Sequence, residues 1–169
     1  KEKEESRGIG AGAGEILGFI REMPPVMAKL GAVQFFSWFA FFTMWSFATP
    51  ALTESVFGAP LPAEGAVDFM AKNAAYNEAA NAVSSAMGIY GLSSMAFALL
   101  LSIWTSRRGI DRRLTHLVSL VMGGIGFLTM SWWTPETAGN LNISFALVGI
   151  AWGSILSMPY AMLSGAIPA

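Results

Sequence analysis

The sequence predicts an all-α membrane protein with four transmembrane helices. Of its 169 residues, 54% are hydrophobic and only 12% are charged, which lies outside the usual balance of a soluble domain. The apolar residues are concentrated in four long runs, and a helix needs about 20 such residues to cross a hydrocarbon core about 30 Å thick. Lys and Arg are concentrated in alternate segments between the runs, as in multi-span membrane proteins.

The four apolar runs define the predicted elements. We predict spans at residues 26–49, 79–104, 117–133 and 143–167, with an outer loop at 50–78 and a cytoplasmic link at 105–116. Residues 1–25 contain several glycines and mixed charges, which is typical of a flexible connector, with a short surface helix over residues 18–23. A second short helix is predicted at residues 66–73 of the outer loop. A soluble helical bundle is disfavoured because apolar runs of this length leave no polar face for water.

The basic residues predict the orientation of the spans. Four of them precede the first span and four lie in the link 105–116, whereas the segments 50–78 and 134–142 are mainly acidic. Because cytoplasmic segments carry an excess of Lys and Arg, we expect the N-terminal segment and the link to be cytoplasmic. The chain is therefore predicted to be a multi-pass protein of the inner (plasma) membrane, with the lipid bilayer as its first partner.

The sequence lacks the residues that several classes of function require. The chain has no cysteine and a single histidine, so no metal site is predicted. No nucleophile, base and orienting group occur together, and there is no phosphate-binding loop, so we expect neither an enzyme nor a cofactor. The net charge of −1 gives no reason to expect a nucleic-acid partner.

The first span carries a stripe of polar and aromatic side chains. Gln34, Trp38, Phe41 and Trp45 recur at steps of four, three and four residues, which places them on one side of a helix. An amide can exchange hydrogen bonds with hydroxyl groups, and an indole face packs against the C–H face of a sugar ring. This stripe could line a sugar site; the alternative is that its rings face lipid or pack against other helices.

The second span carries a stripe of small and polar residues. Asn77, Asn81, Ser84, Gly88 and Gly91 repeat at steps of four and three. Small residues favour close helix packing, so we expect the two glycines to pack on a neighbouring helix. We expect the two asparagines, near the outer end, to contact water or substrate.

The third and fourth spans also carry small residues. Gly123, Gly124 and Gly126 predict a close approach of the third span to another helix, and Gly149, Gly153 and Ser157 form a small-residue series in the fourth. Pro159 then predicts a kink, because proline cannot donate its backbone hydrogen bond. Tyr160 and Ser164 continue the same side, where packing and the lining of a cavity remain equal alternatives.

The link between the second and third spans is a short basic turn. Arg108, Asp111 and Arg112 are expected to form ion pairs to helix ends that hold the cytoplasmic side closed. The alternative is that these charges only anchor the turn on the cytoplasmic side of the membrane.

Three segments resemble the glycoside-pentoside-hexuronide:cation symporters of the major facilitator superfamily, in particular members that transport sucrose and maltose in bacteria. They are VQFFSWFAFF at 33–42, YNEAAN at 76–81 and AWGSILSMPYA at 151–161. The basic turn is similar to the R-x-G-R link of the family, although this chain has RGIDRR at 108–113. The resemblance implies that the four spans correspond to helices seven to ten, in the C-terminal half of a twelve-helix transporter.

The same resemblance implies sugar uptake by alternating access, with binding between two six-helix halves. It makes Gln34, Trp38, Asn81 and Tyr160 the expected substrate-binding residues, and the basic turn the expected gate. The expected partners are a sugar, a coupling cation and the remaining helices of a longer polypeptide, of which this chain is expected to be an internal fragment. The alternatives are a multidrug or other solute transporter of the same superfamily, and a four-span structural or assembly protein.

Overall fold

A computed structural model describes residues 9–164, which form α-helices, one 3-10 helix and, within that range, no strand. The elements are α1 (Ile9–Glu22), α2 (Pro25–Ser55), α3 (Phe69–Arg107), α4 (Arg112–Met130), the 3-10 helix Pro135–Asn140 and α5 (Leu141–Ser164). Residues 1–8 of the predicted connector and residues 165–167 of the fourth predicted span lie outside the described residues.

Four helical segments are long and apolar enough to cross a membrane. They are α2, α3, α4 and the continuous segment Pro135–Ser164 that includes α5. The predicted all-α fold with four candidate spans is thereby confirmed. At about 1.5 Å per residue, α2 with 31 residues and α3 with 39 residues exceed a hydrocarbon core about 30 Å thick. Both helices are therefore longer than the hydrocarbon layer is thick.

The outer loop is shorter than the predicted 50–78. Helix α2 continues through Pro50 to Ser55, and α3 already begins at Phe69. Proline removes one backbone donor, but Leu52, Thr53 and Val56 are buried against the other helices and hold the following turn in place. The short helix predicted at 66–73 is therefore the beginning of α3 rather than an isolated element.

Helix α1 replaces most of the predicted flexible connector. It covers Ile9–Glu22, including the glycines at positions 10, 12 and 14 that predicted flexibility. Alanines separate these glycines, and Glu, Ile and Leu follow them. Alanine has the highest helix propensity, and each glycine costs about 1 kcal/mol relative to it.

Helix α5 is the centre of the fold, because it packs against both α3 and α4. Phe145, Val148 and Ile155 are completely buried along it. A Cβ atom added at Gly126 would lie 2.6 Å from the Ser144 carbonyl oxygen, and one added at Gly153 would lie 2.9 Å from the Ser94 carbonyl oxygen. The predicted close helix approach is therefore confirmed at Gly126 and Gly153. It is not met at Gly124 within residues 9–164, because no atom lies within 4 Å of a Cβ built there.

Helix α3 packs through a different face from the one predicted. Ala79, Val83 and Ala86 are buried, whereas no atom of another element of the described chain lies within 4 Å of a Cβ built at Gly88 or Gly91. The packing predicted at those two glycines is therefore not found within residues 9–164. A membrane helix is apolar on all sides, so its sequence does not single out the side that meets protein.

Candidate functional site

Helix α2 meets α3 and α5 through a group of aromatic rings. This aromatic cluster consists of Trp38, Phe41 and Trp45 from α2, Tyr90 from α3 and Trp152 from α5. The ring of Trp152 lies 5.1 Å from Trp38, 4.9 Å from Phe41 and 4.9 Å from Trp45, measured between centroids. The sequence predicted the α2 stripe but not Trp152, which lies at its centre.

The rings meet mostly edge to face. Trp152 is nearly perpendicular to Trp38 and Trp45, with interplanar angles of 78° and 86°. This arrangement directs the positive edge of one ring at the negative face of another, and contributes about 0.5–1.5 kcal/mol per pair beyond area burial. Trp38 and Trp45 remain 43% and 38% exposed. The cluster thus holds the three helices together and still presents indole surface.

Gln34 lies one turn before the cluster and bonds to the backbone of α5. Its Nε2 donates to the carbonyl oxygen of Ile155 at 3.3 Å. In a regular helix that carbonyl would accept from the N–H of residue 159, but this residue is proline and has no N–H. The Gln34 amide therefore replaces the backbone donor that Pro159 lacks.

The other side of the Gln34 amide is unsatisfied. Oε1 is buried and has no hydrogen-bond partner within the described chain. A buried acceptor without a donor costs about 1–3 kcal/mol. A hydroxyl group that reached this oxygen would remove that cost.

The structure brings two of the four expected substrate residues together. Gln34 and Trp38 both lie at the contact of α2 with α5. Asn81 is exposed, and it precedes Tyr90 by nine positions, which at about 100° per residue places it on the opposite side of α3. Tyr160 is 66% exposed and lies about two turns beyond Trp152 on α5.

The basic turn forms helix-end contacts rather than the expected ion pairs. Asp111 Oδ1 accepts from the backbone N–H groups of Arg113 and Leu114 at 2.9 and 3.1 Å, so it caps α4. Arg112 donates to the Ala161 carbonyl oxygen at 2.5 Å and ties the beginning of α4 to the last described turn of α5. Arg108 is exposed at the end of α3, where its backbone N–H bonds to Trp104. Within residues 9–164, these three residues form no ion pair.

Two further polar contacts between α4 and α5 were not predicted. His116 is buried, and its Nδ1 lies 2.9 Å from the Ser154 hydroxyl. In the first turn of α5, the Ser144 hydroxyl lies 2.8 Å from the Thr129 hydroxyl and accepts a hydrogen bond from the Trp133 indole at 2.9 Å. A lone histidine beside an apolar run is a sequence signal that could have indicated the first contact.

The chain matches no protein-family model, no curated protein and no solved structure. The resemblance described above therefore stays a prediction, supported by the motifs themselves.

Proposed function

We propose that this chain is part of a sugar:cation symporter that takes up a glycoside or disaccharide by alternating access, with a proton as the coupling ion. The observation that carries the proposal is the contact of α2 with α5, where Gln34, Trp38 and Trp152 meet beside Pro159. Motifs at 33–42 and 151–161, which carry the family resemblance, form the two sides of this contact.

The chemistry of the contact suits a sugar. Trp38 and Trp45 each keep more than a third of their surface exposed, and an indole face can pack on the C–H face of a pyranose ring. Gln34 adds an amide that can exchange hydrogen bonds with hydroxyl groups. Asn81 and Tyr160 are exposed outside the aromatic cluster, so in this proposal they contact substrate from other sides of a larger cavity.

The same contact suits a helix that moves. Pro159 removes one backbone bond from α5, and the bond that replaces it comes from a side chain on another helix. Such a bond can break without unfolding either helix. Two residues after Pro159, the bond from Arg112 to Ala161 joins α4 to α5. In the proposal Arg108, Asp111 and Arg112 form the gate, which opens when this bond is released.

Uptake of labelled disaccharides tests the proposal. Cells that produce the full polypeptide containing this segment should accumulate at least one sugar from a panel of sucrose, maltose and related glycosides. A protonophore should abolish the accumulation. Trp38→Ala should reduce uptake much more than Phe47→Ala, because Phe47 is an exposed ring of α2 outside the aromatic cluster. Uptake equal to that of cells lacking the protein, across the whole panel, would refute sugar transport.

A multidrug or other solute transporter is the second candidate. The observation that favours it is that the site consists mainly of aromatic rings, which also suit lipophilic organic cations. Efflux of lipophilic dyes that no sugar inhibits would support this candidate against the symporter.

An assembly protein is the third candidate, and the exposed small-residue face of α3 favours it. Gly88 and Gly91 leave room for another helix there. In a symporter that helix comes from the same polypeptide, whereas in an assembly protein it comes from another chain. Sequencing the gene on both sides of this segment separates the two, because a reading frame that closes at four spans leaves no helices for a transporter.

A further inference from the structure

A cavity with excess positive charge lies where the beginnings of α2 and α4 meet the end of α5. This basic cavity has a volume of about 850 Å³, and its charged lining residues are Lys29, Asp111, Arg112 and Arg113. Asp111 is the only acidic group among them, and its Oδ1 already accepts two backbone hydrogen bonds. Within residues 9–164, the side chains of Lys29 and Arg113 have no hydrogen bond or ion pair. The cavity therefore has two uncompensated cations facing the same space.

An apolar groove lies between the same two helices. It has a volume of about 380 Å³ and is lined by Val33 and Phe36 of α2 and by Leu120, Gly124 and Phe127 of α4. Gly124 is exposed, and nothing lies within 4 Å of a Cβ built on it. The groove is therefore open at this point within the described chain.

The basic cavity and the apolar groove are aligned along α2. Val26 and Leu30 line the cavity and Val33 lines the groove, at steps of four and three residues, so all three lie on one side of the helix. On α4, Arg113 belongs to the cavity, while Leu120 and Gly124, seven and eleven positions later, belong to the groove. A ligand with an anionic head and an apolar tail would satisfy both.

We propose that the basic cavity and the apolar groove together form a binding site for an anionic phospholipid. The phosphate lies between Lys29 and Arg113, and one acyl chain lies in the groove beside Gly124. One feature favours a lipid over free phosphate: the cavity adjoins an apolar groove that phosphate cannot fill. This proposal does not depend on sugar transport.

Lipid binding to the purified chain tests the site. Phosphatidylglycerol and phosphatidylcholine are titrated separately onto the protein in detergent, and the bound fraction is measured by native mass spectrometry. Each Lys or Arg near a membrane surface strengthens the binding of anionic lipid about fivefold. The double variant Lys29→Gln/Arg113→Gln should therefore weaken phosphatidylglycerol binding about 25-fold and leave phosphatidylcholine binding unchanged. The matched control is Arg107→Gln, since Arg107 is an exposed cation at the same end but outside the cavity.

The groove is tested with Gly124→Leu, which adds a side chain at a position where a Cβ meets no atom within 4 Å. This variant should weaken phosphatidylglycerol binding while the charges stay in place. Circular dichroism confirms that each variant keeps its helices. Equal binding of the two lipids, or an equal effect of Arg107→Gln and the double variant, would overturn the site. Unchanged phosphatidylglycerol binding in Gly124→Leu would overturn the acyl-chain position. Displacement of the lipid by inorganic phosphate at equal concentration would identify a free anion as the ligand instead.

Discussion

The hydrogen bond from Gln34 to Ile155 should matter only because residue 159 is proline. Gln34→Leu removes the donor and leaves the Ile155 carbonyl without a partner in an apolar environment. Interhelical bonds in membranes contribute about 0.6 kcal/mol on average and up to about 1.7. The variant also removes the buried, unpartnered Oε1, which offsets part of this loss. We therefore expect Gln34→Leu to lower the free energy of unfolding by about 1 kcal/mol.

The Pro159→Ala background should abolish this cost. Residue 159 would then donate its own backbone N–H to the Ile155 carbonyl, so the Gln34 amide would be redundant. A double-mutant cycle, measured by reversible unfolding in mixed SDS micelles with circular dichroism, should show a coupling of about 1 kcal/mol between the two positions. The matched control is Thr43→Val, because Thr43 bonds only within α2, to the Phe39 carbonyl, and should show no coupling to Pro159. An equal cost of Gln34→Leu in both backgrounds would refute the reasoning.

Three further variants test other parts of the structure by the same unfolding assay. Gly149→Val should destabilise the chain by several kcal/mol, since an added side chain would overlap Tyr90 of α3. Gly88→Ala, in open space, should change stability by less than about 0.5 kcal/mol. Similar costs of the two variants would argue against the packing of α3 on α5. Trp152→Ala should cost about 3–5 kcal/mol through lost ring packing, and a smaller loss than from Phe47→Ala would contradict its central position. Asp111→Ala should lower the stability by about 1 kcal/mol by removing the cap of α4. Asp111→Asn should retain most of the capping contribution. Equal losses in the two variants would show that the cap contributes little.

The sequence predicted the number of spans better than their ends. Long apolar runs follow directly from the thickness of the hydrocarbon core, and all four appear as helices. The ends depend on packing beyond that core. Pro50 does not end α2, because the following turn is held by buried Leu52 and Val56. Periodicity could not supply this information, since it depends on contacts with distant segments.

The sequence predicted the α2 residues of the candidate site but not the α5 residues that they contact. The stripe of Gln34, Trp38, Phe41 and Trp45 follows from helical spacing alone. Its partners on α5 do not, because lipid is as apolar as a protein interior and the sequence does not distinguish the two faces. One connection was accessible in principle: Pro159 requires a foreign donor for the Ile155 carbonyl, and Gln34 is an uncharged amide within an apolar span.

The long separation between Gln34 and Ile155 has a consequence for how the protein is made. The two residues are 121 positions apart in the chain. A ribosome adds about 5–20 residues per second, so about 6–24 s pass between the synthesis of the two residues. Helix α2 is therefore complete before the helix that holds Trp152 is made. The aromatic side chains of α2 must first be accommodated without their partners, and a helix that is apolar on nearly every side suits an apolar environment such as lipid.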